Sequence, residues 1–321
     1  MYFTPCNPAQ EMVYFPVSTQ EKNMKTMNFF GRELNVYRSA LHTHSTTSDG
    51  KLTPAELIDL YKSEGYDVLA FTDHSRTNPV SSFDGKGMTL ISGMEMHPIG
   101  PRHIPWHFLT LGLPEDFEMT FTYGQEAIDA ANAVGALVFC AHPYWSGFRT
   151  DEIMPLKGLA GVEVYNNSCR YVGREFDTIH WDELLNAGFR YPALAVDDIH
   201  TTEHFAGGWV NVLAENKEPA TILAALKKGD FYSSTGPEIK SISFENNVLK
   251  AEFSPCVRAV VYAEFYHGHS DRRNYFHGVE LQEFTTLEHD FTGNKSSYIR
   301  LQITDRNGKA AWSNPIWLNE N

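Results

Sequence analysis

The sequence predicts an α/β fold, with a barrel of repeated β-α units at residues 37–236 and a small antiparallel β domain at residues 237–321. Two observations predict it. Between about residue 38 and residue 234, short apolar runs alternate with amphipathic helical patterns, which is typical of a mostly parallel sheet or barrel. After a turn cluster at 233–237, the pattern changes to short alternating runs, which is typical of antiparallel strands. Residues 1–36 show no clear period and predict an irregular N-terminal arm.

The sequence predicts the strands and helices of the barrel one after another. A first strand at 39–44 precedes a helix that begins with Thr53 as N-cap, Pro54 at the first helical position and Glu56 three residues after the cap. Further barrel strands are predicted at 67–72, 88–96, 106–113, 136–143, 161–166 and 191–200, and further helices at 124–134, 176–188 and 219–230. Beyond the barrel, strands are predicted at 242–247, 248–253, 259–266 and 298–305.

Composition excludes several classes of protein. The 321 residues carry 26 Lys and Arg against 40 Asp and Glu, and this net charge of −14 disfavours specific DNA binding. No stretch approaches the roughly 20 apolar residues of a membrane span, and the first residues lack a signal-peptide pattern, so a cytoplasmic protein is expected. Four scattered cysteines argue against a disulfide framework or a zinc knuckle.

Histidine pairs of the form His-x-His occur twice, and their positions separate them. His42 and His44 lie at the end of the first strand, where residues two apart face the same side, and Asp49 follows in a turn. His267 and His269 lie in the predicted β domain and are interpreted as part of a loop. The first pair is therefore the candidate for metal binding.

Later strands repeat this signal, since nearly every one carries or ends in a residue type that binds metals. These residues are His74, Glu95, His107, His142, Asp198 and His200. Barrel active sites lie at the carboxyl ends of the strands, and ligands without cysteine suit Zn, Mn or Fe. Together with His42, His44 and Asp49 they make nine, which is too many for one ion and predicts two or three divalent ions.

These motifs resemble the polymerase-and-histidinol-phosphatase (PHP) superfamily of metal-dependent phosphoesterases over about residues 38–236. The motifs are His42-x-His44 with Asp49, Thr72-Asp73-His74, Gly93-Met94-Glu95, His107, His142-Pro143 and Asp198-x-His200. The segments 161–167, 181–200 and 226–239 are similar to the carbaryl-hydrolase-like branch. The resemblance implies a distorted seven-stranded (β/α) barrel, followed here by a sandwich-like β domain, with a trinuclear site. It implies one ion at His42, His44, Glu95 and Asp198, a second at Glu95, His107 and His142, and a third at Asp49, His74 and His200.

The ligand set and the resemblance predict a metal-dependent hydrolase that uses a metal-bound hydroxide. We expect a phosphoesterase that acts on a small anionic phosphomonoester or phosphodiester. A carbamate, ester or amide hydrolase on the same site is the alternative, and a catalytically silent binding module is a third interpretation. Candidate substrate contacts are Arg76 and Arg149, because a guanidinium forks onto phosphate, together with Asn167 and His204. A solvated surface position is the competing interpretation for both arginines and for His204, and a turn is the competing one for Asn167.

Overall fold

The computed structural model describes residues 25–271 and 280–318, and within these ranges its strands connect in one mixed sheet of 18 strands. The strands are β1 (Thr26–Phe29), β2 (Arg32–Ala40), β3 (Val68–Phe71), β4 (Thr89–Met96), β5 (Phe108–Leu111), β6 (Leu137–Cys140), β7 (Gly161–Asn166), β8 (Ala193–Val196), β9 (Trp209–Ala214), β10 (Phe231–Ser234), β11 (Ile239–Glu245), β12 (Val248–Cys256), β13 (Arg258–Ala263), β14 (His269–Ser270), β15 (Phe284–Asp290), β16 (Tyr298–Thr304), β17 (Ala310–Ser313) and β18 (Ile316–Trp317). The α-helices are α1 (Pro54–Ser63), α2 (Gly124–Ala133), α3 (Pro143–Ser146), α4 (Thr150–Ile153), α5 (Thr178–Asn186) and α6 (Pro219–Lys228). The predicted mixed α/β architecture is confirmed.

Strand direction places the ends of the central strands at one mouth. β2, β3 and β4 run parallel, and so do β6, β7 and β8. β5 is antiparallel to both β4 and β6, so the uniform β-α repeat does not hold there. The start of β5 therefore lies beside the end of β4, with Phe108 opposite Met96. A residue just before β5 consequently faces the same mouth as residues just after the parallel strands.

The closed seven-stranded barrel is not confirmed. In the described ranges β8 has a paired register with β7, and no paired register joins it to β2, β9 or β10. At the mouth, an isolated parallel bridge joins Thr43 to Ile199. Further along β8, Ser233 Oγ accepts from Ala195 N at 2.9 Å and donates to Ala193 O at 2.7 Å. Side-chain hydrogen bonds thus replace a strand ladder at this seam.

The N-terminal segment differs from the predicted irregular arm. Residues 1–24 lie outside the described residues, whereas β1 and β2 form an antiparallel hairpin. β1 also pairs in parallel with β11, with Phe29 opposite Ile242. Its burial alternates, with Met27 and Phe29 buried, which is the period of a half-buried strand.

The C-terminal strands continue the barrel sheet, so a separate sandwich is not confirmed. β1 connects β2 to β11, and β10 connects β9 to β17. The strands β11, β12, β13, β15 and β16 share one hydrophobic core with β1. Burial of that core ties the first described residues to the last ones.

Helix ends follow the predicted signals. Thr53 Oγ1 accepts from the backbone N–H of Glu56, and Pro54 is the first residue of α1. Gly229 ends α6 with a φ of +79°, in the left-handed region that favours glycine.

None of the helices in the described ranges has the length and apolar character needed to cross a bilayer. Cys140, Cys169 and Cys256 are free thiols, and Cys6 lies outside the described residues.

A buried ion pair joins the C-terminal strands to the barrel helices. Arg300 on β16 is fully buried, and its Nε and Nη2 each donate to a carboxylate oxygen of Asp182 on α5 at 2.8 Å. The guanidinium also lies over the rings of Trp181 and Tyr262. Loss of the carboxylate would leave a buried cation without its counterion.

We expect Asp182→Ala to lower the free energy of unfolding by about 3 kcal/mol, since breaking a buried pair leaves an uncompensated charge. Urea denaturation measures this change. Glu288→Ala is the matched control, because Glu288 pairs with Lys250 at 3.3 Å between two exposed side chains, and its unfolding curve should not change measurably. An equally small effect of Asp182→Ala would contradict the prediction.

Candidate metal centre

The structure brings all nine predicted metal ligands to one mouth, at the ends of the central strands. They form three groups, and within each group the donor atoms lie within 4.8 Å of one another. The groups are His42, His44, Glu95 and Asp198; Glu95, His107 and His142; and His44, Asp49, His74 and His200. Neither His267 nor His269 belongs to such a group among the described residues.

His42 and His44 share a side of the chain because it is extended just after β2. Thr43 lies between them, and its side chain faces β3 instead: its Oγ1 donates to Ala70 O at 2.6 Å, and its N–H donates to Thr72 Oγ1 at 2.9 Å. This alternation is the one expected for residues two apart on a strand. Both imidazoles are consequently buried at the centre of the mouth.

Glu95 lies at the centre of the site. Its Oε1 is 2.7 Å from His107 Nδ1 and 3.1 Å from His142 Nε2, and its Oε2 is 2.8 Å from His74 Nδ1. Gly93, two residues earlier, allows β4 to approach β5 closely, because a Cβ there would lie 2.3 Å from Thr110 O. The Gly-x-Glu motif thus combines a close strand approach with an inward carboxylate.

Two of the nine residues have strained backbones. His142 has a φ of 27° and Asp198 a φ of 52°, and each lies two residues beyond a buried strand. Non-glycine residues in this region cost about 1–3 kcal/mol, and such strain concentrates at functional sites. The strain is therefore consistent with a mouth shaped for binding rather than for stability.

Glu163 belongs to the site and is absent from the predicted set. It is fully buried on β7; its Oε1 is 2.7 Å from His42 Nδ1, and its Oε2 accepts from the His142 N–H at 2.9 Å. A carboxylate on Nδ1 orients the ring so that Nε2 faces the centre. The available signal was an acidic residue between Val162 and Val164 in a fully apolar strand, where a charge requires a partner.

Two other buried aspartates hold loops instead of facing the mouth. Asp73 accepts from the N–H and hydroxyl of Ser45 and from the Ser48 hydroxyl, which holds the turn that carries Asp49. Asp197 accepts from the Tyr61 hydroxyl and from three successive backbone N–H groups, including that of Gly207 at 2.7 Å. Burial raises the pKa of Asp197 to about 6 in spite of these bonds.

The mouth carries opposed charges. Burial lowers the pKa of His42, but the carboxylates of Asp198, Glu163 and Glu95 outweigh it and hold the pKa well above its usual value. Contact with Glu95 likewise overcomes burial and raises the pKa of His142 to about 9. Burial acts against ionisation of Glu95, yet the neighbouring histidines, His42 foremost, hold its pKa well below its usual range. The Glu95 carboxylate is thus ionised, as cation binding requires.

Unpaired atoms at the centre fit a divalent ion. Within the described residues, the buried atoms without a hydrogen-bond partner include His42 Nε2, both ring nitrogens of His44, His74 Nδ1 and Asp198 Oδ1. Buried polar atoms are nearly always satisfied in native proteins. Imidazole nitrogens and carboxylate oxygens that converge on a common point suit Zn, Mn or Fe.

A cavity of about 300 Å³ opens over these groups. Besides the metal-ligand candidates, its lining includes Trp145, Ser168 and Cys169. Trp145, 43% exposed, meets the rings of His107 and His142 edge-on. Ser168 and Cys169 had no signal in the sequence, because their positions depend on how the 3₁₀ turn at 168–172 packs.

The predicted substrate contacts are not among the residues that line the cavity, and their role in binding substrate stays a prediction. Arg149 is exposed and pairs with Asp151 and Glu152. Arg76 is exposed, and its guanidinium makes no hydrogen bond or ion pair with the described residues.

The two other predicted contacts have structural partners. The Asn167 amide is buried, accepts from the Tyr165 hydroxyl at 2.9 Å and donates to His204 O at 2.6 Å. His204 Nδ1 accepts from the His200 N–H at 3.2 Å. Both residues therefore hold the loop beside the mouth.

Comparisons with known proteins agree with the motifs at the level of the fold. No family model matches the chain. A two-domain protein from Bacteroides vulgatus, which contains a predicted PHP-like metal-dependent phosphoesterase, shares the fold over 94% of this chain and 100% of its own, with a TM-score of 0.55 and 14% identity. A 3',5'-nucleoside bisphosphate phosphatase from Chromobacterium violaceum is 36% identical over 77 residues, which span 23% of this chain and 27% of that relative. The resemblance to the PHP superfamily is confirmed to this extent.

We expect Glu163→Gln to weaken metal binding about 10–100-fold, because an amide orients the His42 imidazole less strongly than a carboxylate. Competition with a chromophoric chelator measures the affinity. Glu203→Gln removes the same charge from an exposed position in the loop beside the mouth and should leave the affinity unchanged. Equal affinities of the two variants would show that Glu163 does not position His42.

Proposed function

We propose that the protein is a metal-dependent hydrolase of the PHP type, and that it is a phosphoesterase acting on a phosphomonoester or phosphodiester of a small molecule. One observation carries this proposal. Three groups of metal-donor residues lie together at one mouth, and several of their buried nitrogens have no hydrogen-bond partner in the described residues. The shared fold supports it. The phosphatase named among the relatives supports the choice of a phosphate ester.

Two or three divalent ions, Zn, Mn or Fe, are the proposed occupants of these groups. His42, His44, Glu95 and Asp198 would hold the inner ion, Glu95, His107 and His142 the second, and Asp49, His74 and His200 the third. Such ions lower the pKa of bound water toward 7 and stabilise the negative charge that develops on a phosphoryl group.

The surrounding side chains supply position and shape. Glu163 orients His42, and Asp73 holds the turn that carries Asp49. Ser168 lines the cavity and has a hydroxyl able to donate to a substrate oxygen. Trp145 bounds one side with an apolar ring. A volume of about 300 Å³ is at the small end of ligand sites and suits a compact substrate.

A carbonyl substrate is the second candidate, and the lining of the cavity favours it. Among the described residues, no arginine or lysine lines the cavity. A phosphate would therefore meet positive charge only from the bound ions. The electrophile of a carbamate, ester or amide is neutral and needs no cationic side chain.

We expect p-nitrophenyl phosphate or its bis ester to be hydrolysed with Mn²⁺, and His142→Ala to lower the rate by about 100-fold or more, because the variant removes a proposed ligand. Initial rates on these two compounds are compared with those on a p-nitrophenyl ester and a p-nitrophenyl carbamate. His267→Ala, at an exposed histidine, is the matched control and should retain full activity. Turnover of the carbonyl compounds alone would replace the first candidate by the second. A fully loaded protein that hydrolyses none of them would contradict both.

A further inference from the structure

His97 adds an imidazole to the mouth that none of the three predicted groups contains. It follows β4 directly, two residues after Glu95. Its Nε2 lies 3.2 Å from His107 Nδ1 and 3.7 Å from Glu95 Oε2. Its ring centroid is 4.6 Å from that of His74 and 4.4 Å from that of His107. His97 thus stands between two donor groups and contacts both.

Hydrogen bonds alone do not account for these contacts. His107 Nδ1 carries either one hydrogen or one lone pair. If His107 Nδ1 donates its hydrogen to Glu95 Oε1 at 2.7 Å, it has no second hydrogen for His97 Nε2, which can only share the first one. If it accepts from His97 instead, its lone pair faces the Glu95 carboxylate at that short distance. The conflict is removed if the His97 and His107 nitrogens direct their lone pairs at cations instead of at each other.

His74 supplies a second, independent observation. Its Nδ1 is buried and lies 2.8 Å from Glu95 Oε2, yet it has no hydrogen-bond partner within the described residues. The orientation is therefore unsuitable for a hydrogen bond, although the distance is short. Donor atoms of His74, Glu95 and His97 lie within 4.8 Å of one another. A buried nitrogen without a hydrogen-bond partner thus lies within 4.8 Å of a donor atom of His97.

We propose that His97 is a metal ligand, and that His97, Glu95 and His74 form a fourth donor group, the outer group, which binds a divalent cation. Two imidazoles and one carboxylate suit Zn, Co, Mn or Fe. The side chains of His97 and His74 are 22% and 28% exposed, so water has access to complete the coordination shell. The inference concerns metal binding and is independent of the electrophile that the enzyme attacks.

Co²⁺ titration of chelator-stripped protein tests this proposal, with visible absorption reporting on the ligands and metal analysis reporting the number of ions. His97→Gln should alter the d–d absorption bands, and it should lower the number of bound ions by one or weaken one of them by about tenfold or more. His103→Gln, at an exposed histidine six residues along the same loop, is the matched control and should reproduce the parent titration. Far-UV circular dichroism of the stripped proteins verifies that each variant is folded.

An unchanged absorption spectrum in His97→Gln would overturn the proposal, since a residue that only positions a ligand leaves the coordinating atoms the same. The outcomes also separate this proposal from the proposed function. Altered Co²⁺ bands in a protein that hydrolyses no phosphate ester would support the outer group and contradict the phosphoesterase. Unaltered Co²⁺ bands in a protein that hydrolyses phosphate esters would contradict the outer group and support the phosphoesterase.

Discussion

The buried carboxylate of Glu95 is the group on which the candidate metal centre depends. Its two oxygens lie within 3.5 Å of nitrogens of five histidines, which come from four different segments of the chain: His42, His44, His74, His107 and His142. Five imidazoles packed together out of water need compensating negative charge. Asp198 and Glu163 supply part of it beside His42, whereas Glu95 reaches all five rings. Gly93 lets the strand of Glu95 come close enough to place the carboxylate.

Much of this site follows from local sequence. His42, His74, His142 and Asp198 all come shortly after buried strands, and the ends of parallel strands meet at one mouth. The direction of β5 was harder to predict from the sequence. The segment between β4 and β5 lacks a helical pattern, and a short connection permits an antiparallel neighbour. His107 reaches the mouth nevertheless, since it precedes its strand instead of following it.

Other features depend on partners distant in sequence. β1 alternates in burial, but its partner β11 begins more than 200 residues later, so the pattern alone did not distinguish a strand from an arm. Arg149 was predicted near the substrate because it follows His142 closely. In the structure its guanidinium pairs with Asp151 and Glu152, two and three residues further along the chain. Side-chain direction in a loop is decided by such neighbours, and spacing does not report it.

The isolated bridge between the ends of β2 and β8 has a consequence for how the centre would fill. Asp198 N donates to His42 O at 3.1 Å, and His44 N donates to Ile199 O at 3.0 Å, so backbone bonds set the spacing of three of the inner ligands. Asp49, by contrast, is 56% exposed and belongs to a turn. The inner position is therefore preorganised by backbone bonds, whereas the rim position depends on an exposed side chain. Ions would occupy such a centre in sequence, from the inside outward, and the last to arrive would be the first to exchange with solvent.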